Sequence, residues 1–260
     1  MRLSLRCLCA SLLMLCAAGS ALAEPFDHFH LLAADPAKAV AWYKANLGAR
    51  DGDTPDRVVL GRTIFAFIKT ENAPPSAGTA VDHFGFSVTD VDAAIAKMQA
   101  AGAKVLTPAR DVPGLFKLGF IEDPFGIKIE VLQDAETPGV HHIHLLVADP
   151  EASLAFYARH FGGERAKLKG RIDGVKYTKP NVWLLAQKGD NVAPSQGHAI
   201  DHIGWAVSDM NAKLASLAAA GAKTTEPRAV RHLTVGFTEG PGGVRVELVQ
   251  NRKEEELVGK

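Results

Sequence analysis

Asp27-His28-Phe29-His30-Leu31-Leu32-Ala33-Ala34-Asp35-Pro36 returns later in the chain as His141-His142-Ile143-His144-Leu145-Leu146-Val147-Ala148-Asp149-Pro150. Trp42-Tyr43 and Gly48 are matched by Phe156-Tyr157 and Gly162. A second pair lies between these. Val81-Asp82-His83-Phe84-Gly85-Phe86 recurs as Ile200-Asp201-His202-Ile203-Gly204-Trp205, and Asn72, Pro75, Ser76 and Gly78 recur as Asn191, Pro194, Ser195 and Gly197. Self-similarity of this kind marks a duplicated chain. The two halves are offset by 114 residues at His28 and by 119 at His83.

Each half is itself double. Four units open with a histidine seven residues before an aspartate: His28/Asp35, His83/Asp90, His142/Asp149 and His202/Asp209. The run between is apolar and of strand character. A helical pattern follows each aspartate, and Gly48, Gly102 and Gly221 stand where a helix ends. The aspartates read as N-caps, because a short carboxylate accepts the free N–H groups of a first turn. Short strands and turns come next, with Asp123-Pro124-Phe125-Gly126 the strongest turn signal. Every unit therefore reads β-α-β-β-β. One such unit has too few strands to bury its sheet, so units are expected to pair.

Composition bounds the rest. The chain has 260 residues, 47% hydrophobic and 22% charged, with 29 Lys+Arg balancing 29 Asp+Glu. A net charge of zero argues against a nucleic-acid binder, which needs clustered cations to displace phosphate counterions. Arg2 and Arg6, the apolar run Leu8 to Ala18 and the small residues of Ala21-Leu22-Ala23 read as a secretory signal over 1–23. Cleavage after Ala23 and export to a periplasm or the exterior are expected. Lipid attachment at Cys16 is disfavoured by bulky Leu15. Cys7, Cys9 and Cys16 are the three cysteines and all fall in this segment, so a mature chain would have neither disulfides nor thiolate ligands. No later run is long enough for a membrane span.

Four β-α-β-β-β units, together with Phe120-Ile121-Glu122-Asp123-Pro124-Phe125-Gly126-Ile127-Lys128-Ile129-Glu130 as a closing hairpin, resemble the vicinal oxygen chelate superfamily of glyoxalases, bleomycin-resistance proteins and extradiol dioxygenases. The resemblance implies an α+β fold in which the units pair into two open eight-stranded cups. The first would be domain 26–133, with modules 26–70 and 80–133. The second would be domain 140–250, with modules 140–187 and 199–250. A charged tail covers 251–260. The family holds a divalent metal inside the cup, with ligands from the first and last strands of the units.

Glu130 and Glu247 stand at the last-strand slots, 47 residues after His83 and 45 after His202. A carboxylate in an otherwise apolar strand is costly to bury unless it pairs or binds a cation. The resemblance thus implies a metal on His28, His83 and Glu130 in the first half and a second on His142, His202 and Glu247. Two histidines and a carboxylate form the facial triad of non-haem iron enzymes, and Fe2+ is the expected ion, with Zn2+, Mn2+ or Ni2+ as alternatives. Glyoxalases add a carboxylate from an earlier strand, but Thr63 to Ile68 and Val182 to Leu185 hold none. His30 and His144 share a face with His28 and His142 by strand alternation and are candidates for acid–base work or for alternative ligands. His141 is expected on the opposite face, Tyr43 and Tyr157 in packing, and His160, His198 and His232 at the surface or in loops, with His232 a possible proton shuttle. Phe120 and Phe237 occupy places where the family's dioxygenases usually carry a substrate-binding tyrosine, a departure that weighs against ring cleavage.

The expectation is an exported metalloenzyme acting on a small substrate with adjacent oxygens, leaning towards the extradiol dioxygenases. The alternatives are a sequestering protein of the bleomycin-resistance type and a glyoxalase-like lyase. The small molecule is the expected partner, with no nucleic acid and no membrane span; the oligomeric state is left open.

Overall fold

The computed structural model describes residues 23–259; the expected signal segment lies almost wholly outside them. The first unit forms β1 (Phe26–Ala33), α1 (Pro36–Leu47), β2 (Arg50–Asp51), β3 (Arg57–Leu60) and β4 (Thr63–Lys69). The second forms β5 (Val81–Ser87), α2 (Val91–Ala100), β6 (Lys104–Asp111), β7 (Lys117–Glu122) and β8 (Lys128–Leu132). The third forms β9 (Gly139–Val147), α3 (Pro150–Phe161), β10 (Glu164–Leu168), β11 (Ile172–Thr178) and β12 (Asn181–Lys188). The fourth forms β13 (Ile200–Ala206), α4 (Met210–Ala219), β14 (Arg228–Val230), β15 (Leu233–Gly240) and β16 (Val244–Gln250), and a short helix, α5 (Glu254–Val258), follows. All four aspartates cap their helices, accepting from the N–H of Lys38, Ala93, Ala152 and Ala212 at 3.0–3.1 Å.

The sixteen strands make two open eight-stranded sheets, in the orders β14-β15-β16-β13-β1-β4-β3-β2 and β10-β11-β12-β9-β5-β8-β7-β6. The expected pairing is corrected here. The units do not close a cup within each half. The first unit joins the fourth through antiparallel β1 and β13, and the second joins the third through β5 and β9. Connector length supplies the reason. Residues 133–138 are too few to leave the sheet, so the second and third units stay neighbours. The longer 70–80 and 189–199 segments cross between sheets. They run side by side there, with Ala80 N donating to Ala193 O and Ala199 N to Pro74 O, both at 2.8 Å.

Alternation along the central strands divides two environments. Phe29, Leu31, Phe84 and Ile143 are fully buried in the main core, with Phe29, Phe65 and Phe84 in mutual ring contact. His28 and His30 face the other way, into the hollow of the first sheet.

Candidate metal centres

The cross-chain pairing decides which histidines meet. His28, His30, His202 and Glu247 offer donor atoms that all lie within 4.8 Å of one another, and so do His83, Glu130, His142 and His144. All six expected ligands are therefore in two clusters, but the two triads are redistributed. His28 meets His202 and Glu247, not His83 and Glu130. His142 meets His83 and Glu130, not His202 and Glu247. Each centre takes one histidine from one half and the other histidine with its glutamate from the other half.

Two glycines make this convergence possible. His28 lies opposite Gly204 and His142 opposite Gly85. A Cβ at Gly204 would overlap the His28 ring, and one at Gly85 the His142 ring. Gly85 and Gly204, two places after the histidines of Asp82-His83 and Asp201-His202, are thus seats for an imidazole of the neighbouring strand.

Irregular strand pairing supplies the next layer. The register of both central pairs shifts at the residue before each histidine. Strict alternation would turn that residue to the opposite face, whereas a bulge re-aims it. Asp27 thereby accepts from His28 Nδ1 at 2.7 Å, Asp82 from His83 Nδ1 at 2.5 Å and Asp201 from His202 Nδ1 at 2.5 Å. The third unit has histidine in this place. His141, expected on the opposite face, instead lies with its Nδ1 2.8 Å from His142 Nδ1, and its Nε2 donates to Asp134 at 3.2 Å. Each supporting carboxylate is held by a cation: Arg252 on Asp27, Lys128 on Asp82, Lys169 on Asp134 and Arg245 on Asp201. These carboxylates fix both tautomer and ring orientation.

The consequence is electrostatic. With Nδ1–H engaged, the Nε2 lone pairs of His28 and His202 face Glu247 Oε2 at 3.1 and 2.9 Å. His83 Nε2 and His142 Nε2 face Glu130 Oε2 at 3.3 and 3.5 Å. Acceptors cannot converge on acceptors without a cation between them. Protons meet the need in part. Burial opposes charge on His28 and His83, yet their hydrogen bonds to carboxylates hold the proton more tightly than usual. Burial likewise opposes charge on Glu130 and Glu247, and the histidines still hold both well below the ordinary range. His30 is driven to about 3 and His144 far down, by burial and by the charge of neighbouring histidines. Both rings are neutral near pH 7; His30 Nδ1 lies 3.1 Å from Glu247 Oε2, and His142 Nε2 and both nitrogens of His144 are buried without a hydrogen-bond partner. A divalent ion fits this donor set. Donors bound at about 2.0–2.2 Å to one ion stand about 3–4 Å apart, close to the 2.9–3.5 Å between the histidine nitrogens and the glutamate oxygens here.

His30 and His144 are the less buried members of their clusters. They pair across the sheet with Ala66 and Leu185, in the strands that lack a carboxylate. Phe237 and Phe120 stand edge-on to His202 and His83 at 5.4 and 5.3 Å, presenting carbon where a tyrosine would present oxygen. The remaining expectations fall away from the clusters. Tyr43 is fully buried and donates to Asp123 at 3.0 Å, and Tyr157 is stacked on Trp205. His232 lies 2.9 Å from Glu256.

The hollows differ. The first encloses a cavity of about 260 Å³ over His28, His30, His202 and Glu247. Leu257 of α5 packs on Ile64 and Ala66 in its wall. In the second, Phe116, Leu168, Trp183 and Leu185 form an apolar cluster. The sequence reading missed the supporting residues. Aspartate before three of the four unit histidines was their visible signal; Arg252, in the tail, left none.

A model of the Glyoxalase/Bleomycin resistance protein/Dioxygenase superfamily matches residues 26–131 and again 139–248. The protein named "Probable lactoylglutathione lyase, chloroplastic" of Arabidopsis thaliana is 34% identical over 103 residues, which are 39% of this chain and 29% of that one. A Mycobacterium tuberculosis protein bearing the name glyoxylase CFP32 is 28% identical over 161 residues, 58% of this chain and 59% of its own. The chain thus spans less than two thirds of either relative. Glyoxalase I from Zea mays superposes with a TM-score of 0.71 at 20% identity, covering 88% of this chain and 92% of that one. A Bacillus subtilis protein described as a dioxygenase gives 0.64 at 14% identity, covering 89% and 86%. These two likenesses are in the fold.

Proposed function

Because the chain belongs to the glyoxalase/bleomycin resistance protein/dioxygenase superfamily, we propose that it is a divalent-metal enzyme that moves a proton on a small substrate with two adjacent oxygens. The convergence of His28 Nε2, His202 Nε2 and Glu247 Oε2 on one point carries this reading. His28, His202 and Glu247 hold the ion in the first cup, and His83, His142 and Glu130 in the second. When bound, the ion would polarise a substrate oxygen and lower the pKa of an adjacent C–H or O–H. Asp27 and Asp201 keep the Nε2 lone pairs aimed inward. His30, neutral and facing the cavity, accepts the proton at its free nitrogen and returns it to the neighbouring carbon. Phe237 and Leu233 keep water from the cavity wall.

Names among the relatives favour lyase-type chemistry. So does His30, a neutral ring beside the centre that can take a proton and return it. Ring cleavage with Fe2+ is the second reading, favoured by the two-histidine, one-carboxylate set and by Ala66 in place of a further carboxylate. Export is part of the proposal: cleavage after Ala23 would leave Glu24 first, anchored by its ion pair with Lys213 at 2.9 Å.

The test is metal content of protein purified from its native compartment, followed by parallel assays of the loaded protein on a 2-oxoaldehyde–thiol adduct and on a catechol. About two ions per chain with turnover of the adduct supports the first reading. Oxygen uptake with the catechol supports the second, and neither activity at full loading overturns both. An intact mature N-terminus at Glu24 checks export.

A further inference from the structure

The cavity over the first centre is ringed by arginine. Arg57, Arg228, Arg245 and Arg252 all line it. Two of the four are committed elsewhere. Arg252 is held by Asp27 and Glu256, and Arg245 bonds Asp201 and lies over the Phe237 ring at 4.3 Å. Arg57 is only partly committed, and Arg228 has no such partner. Arg57 shares Asp53 with Arg231, at 3.3 and 2.8 Å, and its Nε is buried without a hydrogen-bond partner. Among the described residues no carboxylate lies within ion-pair reach of Arg228, although it pairs across β14 and β15 with Val235, which faces the cavity.

Charge counting gives the same answer. Asp53 neutralises one of two guanidinium groups, Arg228 is uncompensated, and a divalent ion on Glu247 adds a further positive charge. A cavity of about 260 Å³ with such a surplus is a site for an anion. The second cup lacks this arrangement. Gly174 stands opposite Leu185, next to the His144 strand, where the first cup has Arg57 opposite Ala66. Arg110, the counterpart of Arg228 opposite Leu118, is exposed on β6 as Arg228 is on β14, so the two cups differ at the Arg57 position, and Phe116, Leu168, Trp183 and Leu185 form an apolar cluster in the second.

We propose that the first cup selects a substrate carrying a carboxylate or another oxyanion besides its chelating oxygens, held by Arg228 and by the free edge of Arg57. Arg228 and Arg57 are specificity residues for that cup alone. The inference deepens the metal reading above and rests on it only for the chelating end of the ligand. The fork of an arginine matches the two oxygens of a carboxylate, and a charge-assisted pair of this kind shifts affinity by about tenfold or more.

The test uses the full mature chain loaded with Zn2+, which cannot turn over a catechol. Affinities are measured for 3,4-dihydroxybenzoate and for 3,4-dihydroxybenzamide, its neutral isostere, in wild type, Arg228→Gln, Arg57→Gln and Arg110→Gln. The expected result is a preference for the carboxylate of about tenfold in wild type and Arg110→Gln. It falls to about twofold or less in Arg228→Gln, with amide affinity and zinc content unchanged. Equal affinities in wild type overturn the proposal, and so does a preference that survives both Arg228→Gln and Arg57→Gln. Repeating the comparison without metal separates the two readings. Failure to take up zinc with the carboxylate preference intact removes the metal and leaves the anion site standing.

Discussion

Gly204 and Gly85 show how much can depend on a missing Cβ. Each gives its place to an imidazole from the adjoining strand. Gly204→Ala is expected to displace His28 and lower bound metal from about two ions per chain to about one; Gly85→Ala should do the same at the other centre. Elemental analysis after dialysis reads this directly, and the double variant should bind none. Overpacking of this kind costs about 1–3 kcal/mol, so both single variants should still fold by circular dichroism. Asp123 is a second residue with a measurable signature. Burial raises its carboxyl to about 7, against the pull of N–H donors from Ile127 and Phe125. The folded state therefore holds a proton that the unfolded state gives up near pH 4. Between about pH 4 and 7 the native form binds more protons, so this group makes stability fall as pH rises. Asp123→Asn should flatten that decline in urea unfolding curves taken across the window.

At the scale of elements, the C-terminal segment is part of the first cup. Arg252 is almost fully buried and bonds Asp27, which in turn bonds His28. Glu256 bonds Arg252, and Leu257 packs on the cup wall. The segment is rich in charge, and its charges are what fasten it. Deleting 251–260 removes a charged hydrogen-bond partner from a buried carboxylate, at a cost of about 2 kcal/mol. For a chain of this size that lowers Tm by about 5 °C, and the segment's loss should weaken metal binding at the first centre while sparing the second. A deletion variant with unchanged Tm and zinc affinity would show that the segment merely rests there. The helix elements were legible in advance because local rules place them: capping aspartate, apolar face, closing glycine. The bulges before the histidines were not, because a bulge is set by how two distant strands register.

For the whole molecule, the first-to-fourth and second-to-third pairing makes each centre depend on both halves. Fragments 23–135 and 136–260, expressed apart, should bind little zinc and expose unpaired edges of β1, β5, β9 and β13. Mixed during refolding, they should recover about two sites per pair of fragments. Retention of a full site by one fragment alone would contradict the topology. The six ligands were legible in the sequence, since repeated His and Glu at matching offsets stand out against an apolar background. Their partition between centres was not. By internal symmetry His28 could sit against Gly85 as well as against Gly204, and local pattern does not distinguish the two.

From its sequence this chain determined that it consists of four βαβββ units, where their helices begin and end, and which His and Glu face away from the core. Those features follow from interactions between residues close together along the chain. Only the tertiary structure decided which units share a sheet, which aspartate supports which imidazole, that His30 and His144 join the clusters, and that arginines line the first hollow while Gly174 stands in the place of Arg57 in the second. These depend on connector reach and on side chains brought together from more than 200 residues apart, such as Asp27 with Arg252 and His28 with Glu247. Similar repeats offer several equivalent pairings, and the lengths of the segments between them choose one.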